Sequence, residues 1–305
     1  MDTFLEIALD AAFSPVFRRR DMSIDAGDRL LAATVHEPAG GIDPARVVVV
    51  ASATGVPRAY YDAFARYLAG RGHTVLTFDY RGVGGSRPQR LRGFRARMED
   101  WGRRDLAAAI DHACEALGAT RPTLVAHSVG GQVAPLAPNA DRLGALLLIG
   151  AQSGDYRLWP AHLRVPMAAM WWAIVPAMAR AWGYLPGWSF GGESLPAGVA
   201  LEWASWGRRR GYLVGGRDGG RRRLFARISA PVKMLSFSDD AFAPRAAVAS
   251  LGELYVASAR EHRHVSPAEI GRRRIGHFGF FRERVGKALW PEAATWLESA
   301  GAAAA

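Results

Sequence analysis

The sequence predicts an α/β fold built on a mostly parallel sheet. Three observations carry that expectation. Short, unbroken apolar runs recur along the chain, helical segments alternate with them, and the reactive or glycine-rich stretches fall just after the runs. A-R-V-V-V-V-A (Ala45–Ala51), H-T-V-L-T-F-D-Y (His73–Tyr80), T-L-V-A-H (Thr123–His127), A-L-L-L-I-G-A (Ala145–Ala151) and P-V-K-M-L-S-F-S (Pro231–Ser238) are the runs. Continuous rather than alternating hydrophobicity belongs to strands covered on both faces. Strands alternating with helices give a parallel sheet wrapped by right-handed crossovers. Ligands on such sheets sit beyond the carboxyl ends of the strands.

Taken in order, residues 1–20 read as an N-terminal extension with helical character. M-S-I-D-A-G-D-R-L-L-A-A-T-V-H-E-P alternates around a G-D turn and reads as an antiparallel hairpin. After Val47–Val50, R-A-Y-Y-D-A-F-A-R-Y-L-A-G-R-G is a helix closed by glycine. M-E-D-W-G-R-R-D-L-A-A-A-I-D-H-A-C-E-A-L is an amphipathic helix. V-G-G-Q-V-A-P-L continues T-L-V-A-H as a short helix, and a last helix closes the chain before the alanine tail, Gly301–Ala305.

Half of the 305 residues are apolar and 22% are charged, the balance of a globular protein with a sizeable core. The single cysteine, Cys114, excludes an internal disulfide and a cysteine-built metal site, and its helical setting reads as a buried core thiol. M-D-T-F-L-E-I-A-L-D places acids where a secretory signal needs positive charge, so the expected location is the cytoplasm. Pro176 and Arg180 interrupt the most apolar run before it reaches a membrane-spanning length. The net charge of +11 is uneven: residues 157–229 hold eleven arginines against three acids, and seven of the ten tryptophans. Such a shift marks a separate structural unit. A basic surface admits an anionic substrate, but no nucleic-acid recognition module is readable, so no nucleic-acid partner is expected.

Two serines compete for a catalytic role. Ser189 lies in the literal motif G-W-S-F-G, and Ser128 in A-H-S-V-G, where Ala126 replaces the first glycine. A nucleophile elbow needs a buried strand, a sharp turn and a helix, with small residues flanking the serine at two positions on either side. Ser128 has all of these. No strand precedes Ser189, Pro186 stands where one should be, and the segment reads as a turn.

A serine hydroxyl needs a base to take its proton, and the base needs an orienting acid. In this architecture they follow the serine in the order acid, histidine. S-D-D-A-F-A-P puts Asp239 and Asp240 after a strand, and R-I-G-H-F-G-F-F puts His277 in a glycine-flanked loop. His127 adjoins the serine, but an elbow turns adjacent side chains away, so a packed or hydrogen-bonded histidine is expected. His36, His73 and His112 sit within secondary structure, and His262 and His264 in R-E-H-R-H-V-S read as an exposed basic turn without carboxylates for a metal. An oxyanion hole would use the N–H of Val129 and one from A-S-A-T-G-V-P, with Thr54 favoured and Ala53 or Gly55 as alternatives.

These blocks resemble the α/β-hydrolase superfamily. F-D-Y-R-G-V-G-G-S-R-P is similar to its F-D-x-R-G-x-G-x-S block, A-H-S-V-G-G to its G-H-S-x-G-G elbow, and I-G-H-F-G-F-F to its histidine turn. Within the superfamily the chain most resembles bacterial hydrolases of the serine-aminopeptidase and monoacylglycerol-lipase branch. The resemblance covers roughly residues 21–298 apart from the insertion, and A-S-A-T-G replaces the usual H-G oxyanion loop. It implies a core at 21–156 and 230–300, an inserted cap at 157–229, and no cofactor or metal. By analogy with the family's acid turn, where the carboxylate stands four before a proline, Asp240 is favoured over Asp239. The implied activity is that of a serine hydrolase acting on an ester, thioester or amide of an apolar acyl or aromatic group, through Ser128, His277 and Asp240. An acyltransferase using the same residues, or a non-catalytic binding protein on the same fold, are the alternatives. The tryptophans of the insertion either line the substrate pocket or form the cap's own core.

Overall fold

In a computed structural model of the protein, residues 17–215 and 220–304 are described. The chain builds one eight-stranded sheet. Its strands are β1 (Phe17–Asp25), β2 (Leu30–Pro38), β3 (Val47–Ala51), β4 (Thr74–Phe78), β5 (Thr123–His127), β6 (Ala145–Ile149), β9 (Val232–Phe237) and β10 (Arg260–Val265), in spatial order β1-β2-β4-β3-β5-β6-β9-β10. The hairpin β1–β2 is antiparallel and β2 runs antiparallel to β4, while every other pair is parallel.

The valine run of β3 shows why the central strands are apolar throughout. Val47, Val49 and Ala51 enter the core on one face of the sheet, Val48 and Val50 the core on the other. Helix α1 (Asp62–Gly70) covers the second face with α8 (Trp290–Ala304), through Phe64 and Leu68 and through Trp290, Ala293 and Leu297. On the first face lies a helical run of Met98–Asp100, a π-helical turn at Trp101–Leu106 and α2 (Ala107–Glu115). Gly102 in that turn rests on the carbonyl of Val133, where a Cβ has no room. The wide turn accommodates this close approach, as π-bulges inside α-helices do.

Three expectations are revised. The hairpin begins at Phe17, so residues 17–20 belong to the sheet; residues 1–16, where a helical extension was expected, lie outside the described residues. R-E-H-R-H-V is not a turn but the edge strand β10, paired in register with β9 from Arg260↔Val232 to Val265↔Phe237. Its polar composition suits an edge, where charge deters further pairing. Cys114 is half-buried at the rim of the core rather than enclosed.

Between β6 and β9 lies the insertion. It carries α4 (Ala161–Ala169), α5 (Val175–Trp182), the two-residue strands β7 (Tyr184–Leu185) and β8 (Leu195–Pro196), α6 (Ala197–Gly207) and α7 (Gly220–Ala226). A short strand therefore does precede the G-W-S-F-G turn, but it pairs only with β8 and is not part of the main sheet.

Candidate active site

Strand β5 ends at His127 and α3 (Val129–Val133) starts two residues later, leaving Ser128 to make the turn alone. Its backbone has φ 52° and ψ −114°, strained for any residue with a Cβ. The sheet imposes this. Ala126 is fully enclosed and opposite Ala51 and Leu148, and the Ser128 N–H donates to the Ile149 carbonyl at 3.0 Å. A Cβ on Gly130 would stand 2.5 Å from the Ala51 oxygen, and one on Gly131 2.6 Å from the Ala151 Cβ. Small residues are required on both sides of the serine because α3 leaves the turn pressed against β3 and the end of β6.

Asp240 and His277 meet at the carboxyl ends of β9 and β10. Asp240 Oδ2 lies 2.8 Å from His277 Nδ1, and its Oδ1 accepts from the Phe242 and Ala243 N–H groups at 2.8 and 2.9 Å. The carboxylate only accepts, so Nδ1 carries the imidazole proton and Nε2 is left with its lone pair. Asp239 has a different task, accepting the N–H groups of Ile275 and Gly276 and so holding the loop that presents His277. Phe278 meets the imidazole edge-on at 5.1 Å and Phe242 packs at 5.4 Å. Ser128, Asp240 and His277 are 6%, 5% and 7% exposed. Ser128 and His277 line one cavity, and no hydrogen bond joins their side chains in this state.

At the end of β3 the structure distinguishes two of the candidates for a second oxyanion donor. The Ala53 N–H is taken by the Tyr61 hydroxyl at 2.8 Å. Thr54 lines the cavity and its N–H has no protein acceptor among the described residues. The Val129 N–H, first in α3, has no intrahelical acceptor, as at any helix start.

Tyr61 leads to a network that the sequence did not disclose. His127 is fully enclosed, its Nε2 3.0 Å from the His277 carbonyl and its Nδ1 2.9 Å from the Tyr61 hydroxyl. A carbonyl only accepts, so Nε2 donates and Nδ1 accepts from Tyr61. Burial, reinforced by His277, holds the His127 imidazole well below its ordinary pKa, and burial pushes the Tyr61 phenol up. Both remain neutral. One tyrosine and one histidine thus tie together the turn after β3, the serine turn and the histidine loop. The only sequence signal was the Y-Y pair after A-T-G-V-P, whose spacing says nothing of its partners.

Four other histidines lie away from the site. His36 bonds Asp62, His73 is enclosed, and His262 and His264 share the Ser236 hydroxyl at 2.8 and 2.7 Å. Among the described residues no group of histidine, cysteine and acidic side chains could hold a metal ion.

The insertion supplies half of the cavity wall, with Trp159, Met167, Met170, Trp171, Phe190 and Trp203 lining with Ser128 a space of about 680 Å³, mouth included. The tryptophans divide. Trp159, Trp171 and Trp203 line the cavity, Trp206 is enclosed against Tyr212, and Trp172, Trp182 and Trp188 are exposed. Three therefore belong to the cavity wall and one is packed within the insertion, while the exposed three do neither. The arginine triplets partly serve as anchors: Arg208 donates to the Trp171 carbonyl, and Arg221 bonds Glu99 on the core.

Ser189 sits in a single helical turn, its hydroxyl donating to the Pro186 carbonyl at 2.6 Å. The loop beyond it contributes Phe190, Gly191 and Gly192 to the cavity wall. Glu193 then pins that loop: its N–H donates to the Gly55 carbonyl at 2.7 Å and its carboxylate accepts the Gly84 N–H at 2.8 Å. No motif marks Glu193 in the sequence.

The sequence profile of the Alpha/beta hydrolase family matches residues 20–297. The chain belongs to that family. Several hydrolases share the α/β-hydrolase fold seen here. The esterase Pf2001 of Pyrococcus furiosus has a TM-score of 0.57 at 14% identity, covering 93% of each chain. Brefeldin A esterase, described as a bacterial homologue of human hormone-sensitive lipase, has a TM-score of 0.61 at 14% identity, covering 98% of this chain and 84% of that one. Est1E of Butyrivibrio proteoclasticus, solved with ferulic acid, has a TM-score of 0.60 at 16% identity, covering 92% and 99%. By sequence, no curated protein matches. Among the described residues no helix is long and apolar enough to cross a membrane.

Proposed function

We propose that this α/β hydrolase is a serine esterase whose nucleophile is Ser128. The observation that carries the reading is the 2.8 Å contact of Asp240 with His277 Nδ1, which leaves a basic Nε2 in the same cavity as a serine held at φ 52°. Ser128 Oγ attacks the ester carbonyl while its proton passes to His277 Nε2, and Asp240 keeps the imidazole in the reactive tautomer and offsets its charge. The oxyanion that forms is met by the N–H groups of Val129 and Thr54. Collapse breaks the bond to the leaving alcohol, which takes the proton from His277. A water then adds to the acyl-enzyme, losing its proton to Nε2, and Ser128 Oγ leaves with that proton.

The insertion acts as a cap over this centre. Its apolar wall fits a largely hydrocarbon or aromatic acyl group, since pockets of this composition bind by burying apolar surface. No step requires a cofactor. The test is a fluorophosphonate probe with a panel of nitrophenyl esters, on the wild type and on Ser128→Ala. Labelling and turnover in the wild type, both lost in the variant, are expected. Labelling that persists or moves to Ser189 overturns the assignment, and turnover that rises with an added alcohol at constant ester would make the protein an acyltransferase.

A further inference from the structure

Among the described residues only two besides glycine have a left-handed φ: Ser128 at 52° and Tyr212 at 54°. Both line the same cavity. A bulky side chain stays in that region only where its surroundings over-determine it. For Tyr212 they do. Gly211 before it is also left-handed and donates its N–H to Asp155 Oδ2 at 2.8 Å, and Asp155 Oδ1 is held by Arg157 at 2.9 Å. Gly154 lies flush against the Tyr212 ring, where a Cβ would overlap it, and Trp206 meets the ring edge-on at 5.9 Å.

The outcome of this arrangement is one hydrogen bond. The buried Tyr212 hydroxyl donates to Gln132 Oε1 at 2.9 Å. Gln132 is 2% exposed and also lines the cavity. With Oε1 engaged, the orientation of the carboxamide is set and its Nε2 is the end left over. That nitrogen has no partner among the described residues, yet it is not one of the polar atoms sealed from all contact, so its remaining exposure is to the cavity. The other polar side chains of the wall are engaged elsewhere. Gln152 gives its Nε2 to the Phe242 carbonyl and its Oε1 is sealed, the Trp159 Nε1 donates to the Ala241 carbonyl, the Trp171 Nε1 is sealed, the Trp203 indole partners the Tyr212 hydroxyl, and Thr54, Ser128 and His277 belong to the reacting end.

We propose that Gln132, oriented by Tyr212, is a hydrogen-bond-donor subsite that selects acyl groups carrying an oxygen acceptor part-way along the chain, as an ether, keto or hydroxyl oxygen. A bond needed only to tie the insertion to α3 would leave no donor over, and an apolar pair would do as well. Gln132 stands four residues after Ser128, about 6 Å along the helix, so the oxygen it receives is remote from the scissile carbonyl. Substrates without it leave a buried amide unpaired, which is how a polar group in an apolar pocket discriminates.

The inference rests on Ser128 as the nucleophile, and its test separates the two. Nitrophenyl octanoate is compared with isosteric esters in which one chain methylene after another is replaced by an ether oxygen. In the wild type, one position in the series should exceed its neighbours in kcat/KM by about threefold to tenfold, the value of one neutral hydrogen bond. Gln132→Met should erase that maximum, and Tyr212→Phe, which frees the carboxamide to turn, should lower it. Ratios within each protein are read, so a general loss of activity or stability does not disturb the result. The same series is titrated against Ser128→Ala, reading dissociation constants. A minimum in the dissociation constant there that disappears in Ser128→Ala/Gln132→Met supports the subsite even if the wild type turns nothing over, an outcome that counts against the esterase reading alone. A monotonic series, or a maximum that survives Gln132→Met, overturns the subsite.

Discussion

Residues 126–130 and 187–191 carry nearly the same letters, A-H-S-V-G and G-W-S-F-G, and nothing else in common. In the first, the serine is forced to φ 52° between a strand and a helix, and the glycine is there for room: its Cβ would strike the Ala51 carbonyl. In the second, the serine closes a single helical turn with its own hydroxyl, and Gly191 is there for its backbone angle, φ 84°, with open space around it. The difference teaches that a short motif specifies a turn only through what surrounds it. A strand end in a parallel sheet leaves no freedom, whereas a loop satisfies its hydroxyl locally. The second turn still matters, because it leads into the loop that Glu193 pins over the site.

The largest effect that could break this comparison is on chemistry. Ser128→Ala should lower kcat/KM for nitrophenyl esters by at least about 10⁴-fold, while Ser189→Ala, losing one hydrogen bond in a loop, should stay within about tenfold. Comparable losses in the two variants would mean that the motif's letters, not its setting, assign the nucleophile.

Glycine replacement separates the two physical reasons. Gly130→Ala should cost about 3 kcal/mol in urea unfolding, the upper range for overpacking a closed core. Gly191→Ala should cost about 1 kcal/mol, the strain of an L residue at positive φ. Equal costs would remove the distinction between room and angle.

Acid should weaken the fold that holds the first turn. His127 has its folded pKa depressed by burial, and so do His36, His73, His112, His262 and His264. The unfolded chain therefore takes up protons first as pH falls. Asp105, whose carboxyl burial raises to about 6, acts in the opposite sense, but six imidazoles outweigh one carboxyl, so stability should decline below about pH 6.5, by at most about 1.4 kcal/mol per pH unit for each group. Urea midpoints measured downward from neutrality check this, and His127→Gln should make the decline shallower. A decline unchanged in that variant would show that His127 takes up its proton in the folded state without cost.

The smallest effect concerns the position where A-H-S-V-G departs from the usual motif. Ala126→Gly should retain esterase activity and cost about 0.5–1 kcal/mol from the added freedom of the unfolded chain. A gain in stability would mean that the Ala126 methyl is strained rather than accommodated.

What could be read along the chain is what neighbouring residues decide together. The valine run of β3 reads as a buried strand because each of its side chains, on alternate faces, is apolar. Ser128 and the aspartate pair stand out because they follow apolar runs, His277 because its loop is flanked by glycines, and strand ends are legible. By contrast, β10 is a strand only because β9 offers it a parallel edge; its own letters are charged and imidazole side chains. Asp240 is the partner of His277 while Asp239 holds the loop, a division between adjacent residues that only their distances to His277 and Ile275 reveal. Ala53 drops out as a free donor because of Tyr61, eight residues away in sequence, and Tyr61 is oriented by His127, another sixty-six. The Tyr212–Gln132 bond spans eighty residues and two structural units. Hydrogen bonds among buried side chains at such separations leave no periodicity and no composition bias behind them, so the sequence determines the sheet and the polar residues at its strand ends, and the packed tertiary structure determines which atom each of them meets.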